Sequence, residues 1–488
     1  MERDNCFERE NMKQKSLGVN AILNGIKQCC SILFPLVTFP YVSRILGNGG
    51  YGKYSFSFSI TNYFILFAAL GIYTYAVREG AKIRNEQNKI NKFCSQVFSI
   101  NVCSSIISLL LLFCLVFISP KLGDYKSYIF IQSTAIIMTL LGTDWVNGIY
   151  EDYFYITIRY IIVQLLCLIA MFSFVKTSDD IISYCIIAVL ATNGGNFINI
   201  IYAKRYVKIK FTFHMNLKEH LIPLLILFVN SIAISIYVNS DITILGFFEN
   251  DVQVGIYSFS SKIYNLLKQL INAIIVVSVP RIAFIIKNKP EEYQLYMNKI
   301  FAVLNIILLP ITIGMFLMSD SIILLAGGNQ YINGNMALKI LSIATLFAIY
   351  ASLFTNCVLI VNRKEKKCLQ ATVCSSITNV ALNFLFIPYI GMIGAAITTC
   401  IAEIINCFMQ ITFSKHYFYW KTIDFRSSWS CIIGSIFVAI ICVTCNLIFE
   451  TSLSQMISAL IVSSITYGVI LFIMKNPYVK DLIKTIKL

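Results

Sequence analysis

Long apolar runs recur at short intervals along almost the whole chain, and they leave few choices of fold. They fall near residues 18–43, 54–76, 94–119, 128–148, 158–176, 181–203, 220–240, 252–279, 298–319, 336–361, 369–388, 391–413, 428–449 and 453–474. A bilayer core takes about 20 apolar residues per helix, so these runs predict about fourteen transmembrane helices in an all-α integral membrane protein. Strands of a membrane barrel would alternate polar and apolar residues over about ten positions, whereas these runs are continuous. Composition agrees. The chain is 57% hydrophobic and 13% charged, and soluble domains carry roughly a quarter of their residues charged.

The net charge of +15 reads as topogenic, with no nucleic-acid partner. With the N-terminus inside, alternate loops hold Arg78, Lys82, Arg84, Lys89 and Lys92, then Arg159, then Lys204, Arg205, Lys208, Lys210 and Lys218. The same face then takes Arg281, Lys287 and Lys289, the cluster Arg363–Lys367, Lys415–Arg426, and the tail. The opposite loops carry few cations and hold Asp179, Asp180, Glu249, Asp251 and Asp320. The positive-inside rule therefore predicts that both termini are cytoplasmic. The opening "MERDNCFERENMKQKS" lacks signal-peptide character, and Met12 reads as an equally good start. His214, His220 and His416 fall in predicted cytoplasmic loops. The sixteen cysteines form no metal-like grouping and no disulfide framework.

The chain also repeats itself. Residues 52–57, GKYSFS, return at 255–260 as GIYSFS, with Ile60/Ile263 and Asn62/Asn265 in the same register. Six spans precede the second copy, an even number that preserves direction. Two parallel six-helix halves are expected. They are a first lobe over 18–203 after a lead at 1–17, a linker over 204–219, and a second lobe over 220–413. Two further helices over 428–474 and a tail over 475–488 complete the chain. The glycines of the motif suit tight turns at the membrane face.

Several spans carry polar stripes at helical spacing. The first places Asn20, Asn24, Lys27, Gln28 and Ser31 on one face. The eighth has Ser258, Ser261, Lys262, Asn265, Lys268, Gln269 and Asn272. The eleventh has Thr372, Ser375, Ser376, Asn379 and Asn383, and the twelfth Thr399, Glu403, Asn406 and Gln410. Such groups must face one another or a wet cavity, because hydrocarbon cannot solvate them. Serine, threonine and asparagine also serve as plain interhelical glue, and Lys27 and Lys268 are near enough to span ends to snorkel. Intramembrane lysines are usually functional. Lys27, Lys262 and Lys268 outnumber the deepest acids, Glu403 and Asp144, so the expected cavity suits an anion. Arg44 and Arg78 bracket the second span and can grip phosphate with two bonds. Arg78 also reads as an ordinary inside-positive residue.

"FPYVSRILGNGGYGKYSFSFSITNYF", "LGIYTYAVREGAKIRN", "DITILGFFENDVQVGIYSFSSKIYNLL" and "YIGMIGAAITTCIAEI" together resemble the bacterial polysaccharide-repeat flippases of O-antigen type. That family lies in the superfamily of multidrug and toxin extrusion antiporters and the lipid II flippase. The resemblance runs the length of the chain. It implies a V-shaped twelve-helix core plus two C-terminal helices, and a substrate of undecaprenyl-pyrophosphate carrying a short oligosaccharide. On that reading Lys27, Lys262, Lys268, Arg44 and Arg78 form an anion track, and Asn24, Asn265 and Asn272 contact sugar. No cofactor is expected. Related exporters use a proton or sodium gradient, for which Asp144, Asp241 and Glu403 are the candidates. Asp241 reads equally as a helix-end residue, and Asp144 as interfacial beside Trp145. A polysaccharide polymerase and a chain-length regulator are expected as protein partners.

A multidrug antiporter of the same fold would want an acidic cavity, against the lysine surplus. A membrane polymerase would want a long outer loop or an intramembrane histidine or aspartate pair; the outer loops are short and the histidines lie in loops. The chain reads as a transporter rather than an enzyme.

Overall fold

The computed structural model describes residues 17–419 and 425–479, with the side chains of all of these except 17–22, 24, 425 and 426. The described residues are predominantly helical, with no strand among them. In chain order the main helices are α1 (Leu17–Ala69), α2 (Ile72–Ile83), α3 (Gln87–Ile118), α4 (Lys126–Gly142), α5 (Asp144–Ile149), α6 (Tyr153–Phe174), α7 (Ile181–Asn193) and α8 (Asn196–Tyr202). They continue with α9 (Leu217–Phe248), α10 (Asp251–Asn288), α11 (Tyr293–Leu317), α12 (Ser319–Ala326), α13 (Asn335–Leu353), α14 (Glu365–Ser414), α15 (Phe425–Ile448) and α16 (Ser452–Ile473). A π-helical turn, Phe354–Ile360, extends α13.

Eleven helical segments among the described residues are long and apolar enough to cross a membrane, against fourteen runs expected. The difference has a local cause. Two expected runs share α1, broken only at Gly47 (φ 69°, ψ 175°). Two more share α14, broken only at Gly391 (φ 54°, ψ −134°). The run near 128–148 is divided between α4, of 17 residues, and the short α5. Each glycine break is a single residue in a region that a Cβ disfavours.

The described chain forms two compact units. The first takes residues 17–38, 61–176 and 182–231, and the second takes 39–60, 177–181 and the rest from 232. The segment 204–219, expected as the linker between halves, packs within the first unit. That unit's core gathers Tyr75, Ile90, Phe93, Val97, Trp145, Ile149, Val207 and Leu224. In the second unit Ile271, Ile275, Met297, Leu304, Ile349, Leu353 and Phe354 form one core. Another joins Met318 to α15 and α16 through Cys431, Val438, Cys442, Ala459 and Tyr467.

The distribution of polarity is that of a membrane protein. Phe117, Val277, Tyr389 and Leu447 are each more than three-quarters exposed, while Ser99, Asn199, Asn379, Asn383 and Glu403 are buried. Lipid tails solvate the former, and the latter must find partners inside.

The repeated motif acquires a different role from the one expected. Gly52 lies within α1 beyond its break, and Gly255 lies within α10, so neither makes a turn. In the second unit the two copies meet backbone to backbone. A Cβ on Gly52 would strike the Asp251 carbonyl, and one on Gly255 would strike the Asn48 carbonyl. Asp251 stands four residues before Gly255, and Asn48 four before Gly52. The two contacts are therefore images of each other, the reciprocity that a two-fold relation between copies produces. The turn falls instead to Gly47.

Candidate functional site

In the second unit the polar faces of α9, α10 and α14 converge. Asp241, on α9, is 4% exposed. Its Oδ2 accepts from the Tyr257 hydroxyl at 2.6 Å and from Thr399. Its Oδ1 accepts from Asn383 Nδ2 at 2.7 Å. Asn383 also donates to Asn379 Oδ1 at 3.1 Å and accepts from Thr398, and Ser240 donates to Asn379 at 2.8 Å. The donors on this helix come from both sides of the Gly391 break, which brings Asn383 and Thr399 to a single carboxylate, with Asn379 and Thr398 bonded to Asn383. Asp241 lies seven residues inside the end of α9, so it is no helix-end residue. Among the described residues it makes no ion pair, and its donors are neutral.

About two helical turns along α10 lies a second carboxylate with different company. Glu403 is 2% exposed. Lys268 Nζ approaches its Oε1 at 2.6 Å, and the Tyr264 hydroxyl donates to the same oxygen at 2.7 Å. The ammonium also lies over the rings of Tyr264 and Tyr237, 5.3 and 6.0 Å from their centroids. Two sequence candidates, one for anion binding and one for ion coupling, are thus partners in one buried ion pair.

The remaining candidates on α10 stay within that unit. Lys262 is half-buried and, among the described residues, makes no hydrogen bond or ion pair. Asn265 Nδ2 donates within its own helix to the Ser261 carbonyl at 2.9 Å. Asn272 accepts from Ser352 on α13. Arg44 donates to the carbonyls of Leu324 and Leu325, where it caps the C-terminal end of α12. A cation suits that end because the last carbonyls are unsatisfied and carry the negative pole of the helix.

A third cluster lies in the first unit. Arg159 Nη2 donates to both Asp144 oxygens at 2.7 and 2.9 Å. Asn199 adds a bond to Oδ1 at 3.0 Å and is itself held by Asn147 at 2.6 Å. Lys27 lies 5.8 Å from the Tyr160 ring centroid, within electrostatic reach of Asp144 and Arg159. Trp145 is buried beside this cluster. Arg78 is far more exposed and is bound to Glu79 at 2.8 Å. Asn24 falls outside the described side chains.

Three features escape sequence reasoning. Arg159 reads as topogenic but is a buried ion-pair partner. Tyr257 and Tyr264, seven residues apart on one face of α10, supply the hydroxyls for both carboxylates; that spacing was the available signal. His220, expected in a loop, is 1% exposed on α9. Its Nδ1 meets the Tyr75 hydroxyl at 2.7 Å and its Nε2 the Gln96 Oε1 at 3.2 Å.

No group of three histidine, cysteine, aspartate or glutamate side chains among the described residues is placed to hold a metal ion. The arrangement instead offers a neutralised acid and, among the described residues, an uncompensated acid and a lysine with no protein partner, all on membrane helices.

Comparison with known proteins agrees with this architecture. The chain is 24% identical over 413 residues to an Escherichia coli K12 protein named "Putative O-antigen transporter", covering 83% of this chain and 98% of that one. The lipid II flippase MurJ, in an inward closed conformation, superposes with a TM-score of 0.73 at 16% identity, covering 95% of this chain and 99% of MurJ. An inward-facing multidrug resistance transporter of the MATE family gives 0.59 at 12% identity, over 78% of this chain and 94% of that one. These likenesses establish the fold as that of MurJ and MATE transporters. The family described as "Polysaccharide biosynthesis protein" matches residues 17–286, more than half of the chain, and this multi-pass membrane protein belongs to that family.

Proposed function

We propose that the protein is a flippase. It moves an oligosaccharide linked to undecaprenyl pyrophosphate from the cytoplasmic to the outer leaflet of the bacterial plasma membrane, by alternating access. A sugar-pyrophosphate head cannot cross about 30 Å of hydrocarbon unaided. Membrane helices that turn lysine, carboxylate and carboxamide groups inward can replace its water. The observation that carries the reading is this polar interior in a chain that aligns, over most of its length, with the protein named "Putative O-antigen transporter". Lys262 and Lys27 remain the cations for phosphate, since Lys268 and Arg159 are each neutralised by an acid.

Coupling is assigned to Asp241. A buried carboxylate with three neutral donors and, among the described residues, no cation is electrically incomplete. A proton or a sodium ion would complete it, and the cargo's transit would be tied to that ion. Glu403 is a poorer candidate because Lys268 already balances it.

The test is deletion of the gene followed by analysis of lipid-linked intermediates. Complete repeat units facing the cytoplasm are expected to accumulate. Single units facing outward would indicate a polymerase instead, and unchanged intermediates with altered drug tolerance would indicate a multidrug antiporter. In the complemented strain, K27A and K262A at normal membrane levels should each lower surface polysaccharide. Asp241→Asn, which keeps the shape and removes the charge, should abolish dependence on the ion gradient; an unchanged gradient dependence would remove Asp241 from coupling.

A further inference from the structure

Between α8 and α9 the chain runs without helix along one face of α3, and its attachment there is unusually regular. Gln87 Nε2 donates to the Tyr206 carbonyl at 3.0 Å. The Lys208 amide donates to Asn91 Oδ1 at 2.9 Å. The Lys210 amide donates to Ser95 Oγ at 3.1 Å, and the Thr212 amide to Ser99 Oγ at 2.8 Å. The α3 partners recur every fourth residue and the linker partners every second. The match is geometric: four helical residues rise about 6.0 Å, and two extended residues about 6.6 Å. One helix face thus serves as the edge of a sheet.

This ladder fixes the depth of the linker in the membrane. The 32 residues of α3 span about 48 Å, against about 30 Å of hydrocarbon. The excess of about 18 Å, or about 12 residues, lies at the N-terminal end, because the sequence is apolar through to Ile118 and polar at Gln87–Lys92. Hydrocarbon therefore begins near Ser99. Phe211 and Phe213, which flank the residue bonded to Ser99, sit at that boundary. They pack edge to face, 5.1 Å between centroids, and are 46% and 86% exposed. Lys210, bonded at the level of Ser95, lies about 6 Å farther out, at headgroup depth, and Lys208, at the level of Asn91, about 12 Å out, from where its long side chain reaches back to the headgroups. Both are exposed, as are Lys204 and Arg205. No acidic residue occurs between Asp180 and Glu219.

We infer that this linker is a membrane-interface anchor that binds anionic phospholipid headgroups of the surrounding bilayer. Phe211 and Phe213 enter the acyl boundary, and Lys208 and Lys210 take the phosphates above them. Lipid rather than a soluble phosphate is the occupant, because the exposed aromatic pair lies beside the cations at the depth where headgroup gives way to chain. An anchor of this kind holds α8, α9 and α3 at fixed depth and makes the protein sensitive to leaflet charge. The inference does not depend on the identity of the transported cargo.

A tryptophan at position 213 reports on the site. Phe213→Trp, measured against the parent protein to subtract Trp145, Trp420 and Trp429, is titrated in neutral detergent with phosphatidylglycerol, phosphatidylcholine or inorganic pyrophosphate. A saturable blue shift is expected with phosphatidylglycerol at concentrations well below those needed for phosphatidylcholine, and none with pyrophosphate. Adding Lys208→Gln and Lys210→Gln should raise the phosphatidylglycerol midpoint about 25-fold, from about fivefold per basic residue near an anionic surface. In bilayers, lipids brominated near the headgroup end of their chains should quench the new tryptophan. Equal midpoints for the two lipids, an unmoved midpoint in the lysine variant, a response to pyrophosphate, or absence of quenching would each overturn the inference.

Discussion

Breaking the Lys268–Glu403 pair from its two sides should cost different amounts. The glutamate side chain is 3% exposed and the lysine 27%. Lys268→Met leaves a carboxylate in the interior with only the Tyr264 hydroxyl as its remaining donor among these partners, and removing one member of a buried pair costs about 3–5 kcal/mol. Glu403→Gln leaves an ammonium that can still turn toward water and keep its contact with Tyr264 at 3.2 Å. That loss should be about 1–3 kcal/mol, the range for one unmade hydrogen bond. The double variant has no charge left to strand, so most of the K268M penalty should return. A coupling energy above about 2 kcal/mol follows, well beyond the average of about 0.6 kcal/mol for hydrogen bonds between membrane helices. The assay is reversible unfolding of the purified protein and its three variants in mixed micelles, read as a double-mutant cycle. Equal costs for the two single variants, or a coupling near 0.6 kcal/mol, would refute the argument that the pair is a desolvated charge pair.

Substitutions at two other places probe the packing. Gly255→Ala places a methyl group on the Asn48 carbonyl, which is backbone and cannot rotate away, so overpacking of at least about 1–3 kcal/mol is expected; Gly52→Ala should behave alike, and a neutral effect on thermal stability for both would show that the helices separate freely. His220→Ala strips the partners from the Tyr75 hydroxyl and the Gln96 carbonyl oxygen in a buried site, with an expected loss of about 2–4 kcal/mol. Adding Tyr75→Phe to it should cost little more, a prediction that the same unfolding assay checks.

Much of this architecture is legible in the residues. The stripes on α10 and α14 announce inward faces, and Ser258, Asn379, Asn383 and Glu403 are buried as that spacing requires. The repeat of GKYSFS as GIYSFS announces two related segments. What those segments do is not legible: a glycine at a turn and a glycine at a backbone crossing look alike in sequence. The lysine surplus is similarly ambiguous. A lysine on a polar stripe invites a ligand, yet Lys268 has an acid 135 residues away for a partner, and Arg159, which counts as topogenic, holds Asp144. Counting cations along the chain therefore overstates the charge available to a substrate.

The chain by itself determined that it lives in a bilayer as a set of long apolar helices, and where polar stripes run along them. Those properties follow from local composition and helical period, because hydrocarbon rejects any unbonded polar group wherever it occurs. Only the tertiary structure decided which acid is balanced and which is not. Asp241 and Glu403 are both single carboxylates on apolar helices. Tyr257, Asn383 and Thr399 surround one, and Lys268 reaches the other. Electrostatic energy depends on distance through space, and helices far apart in sequence set that distance.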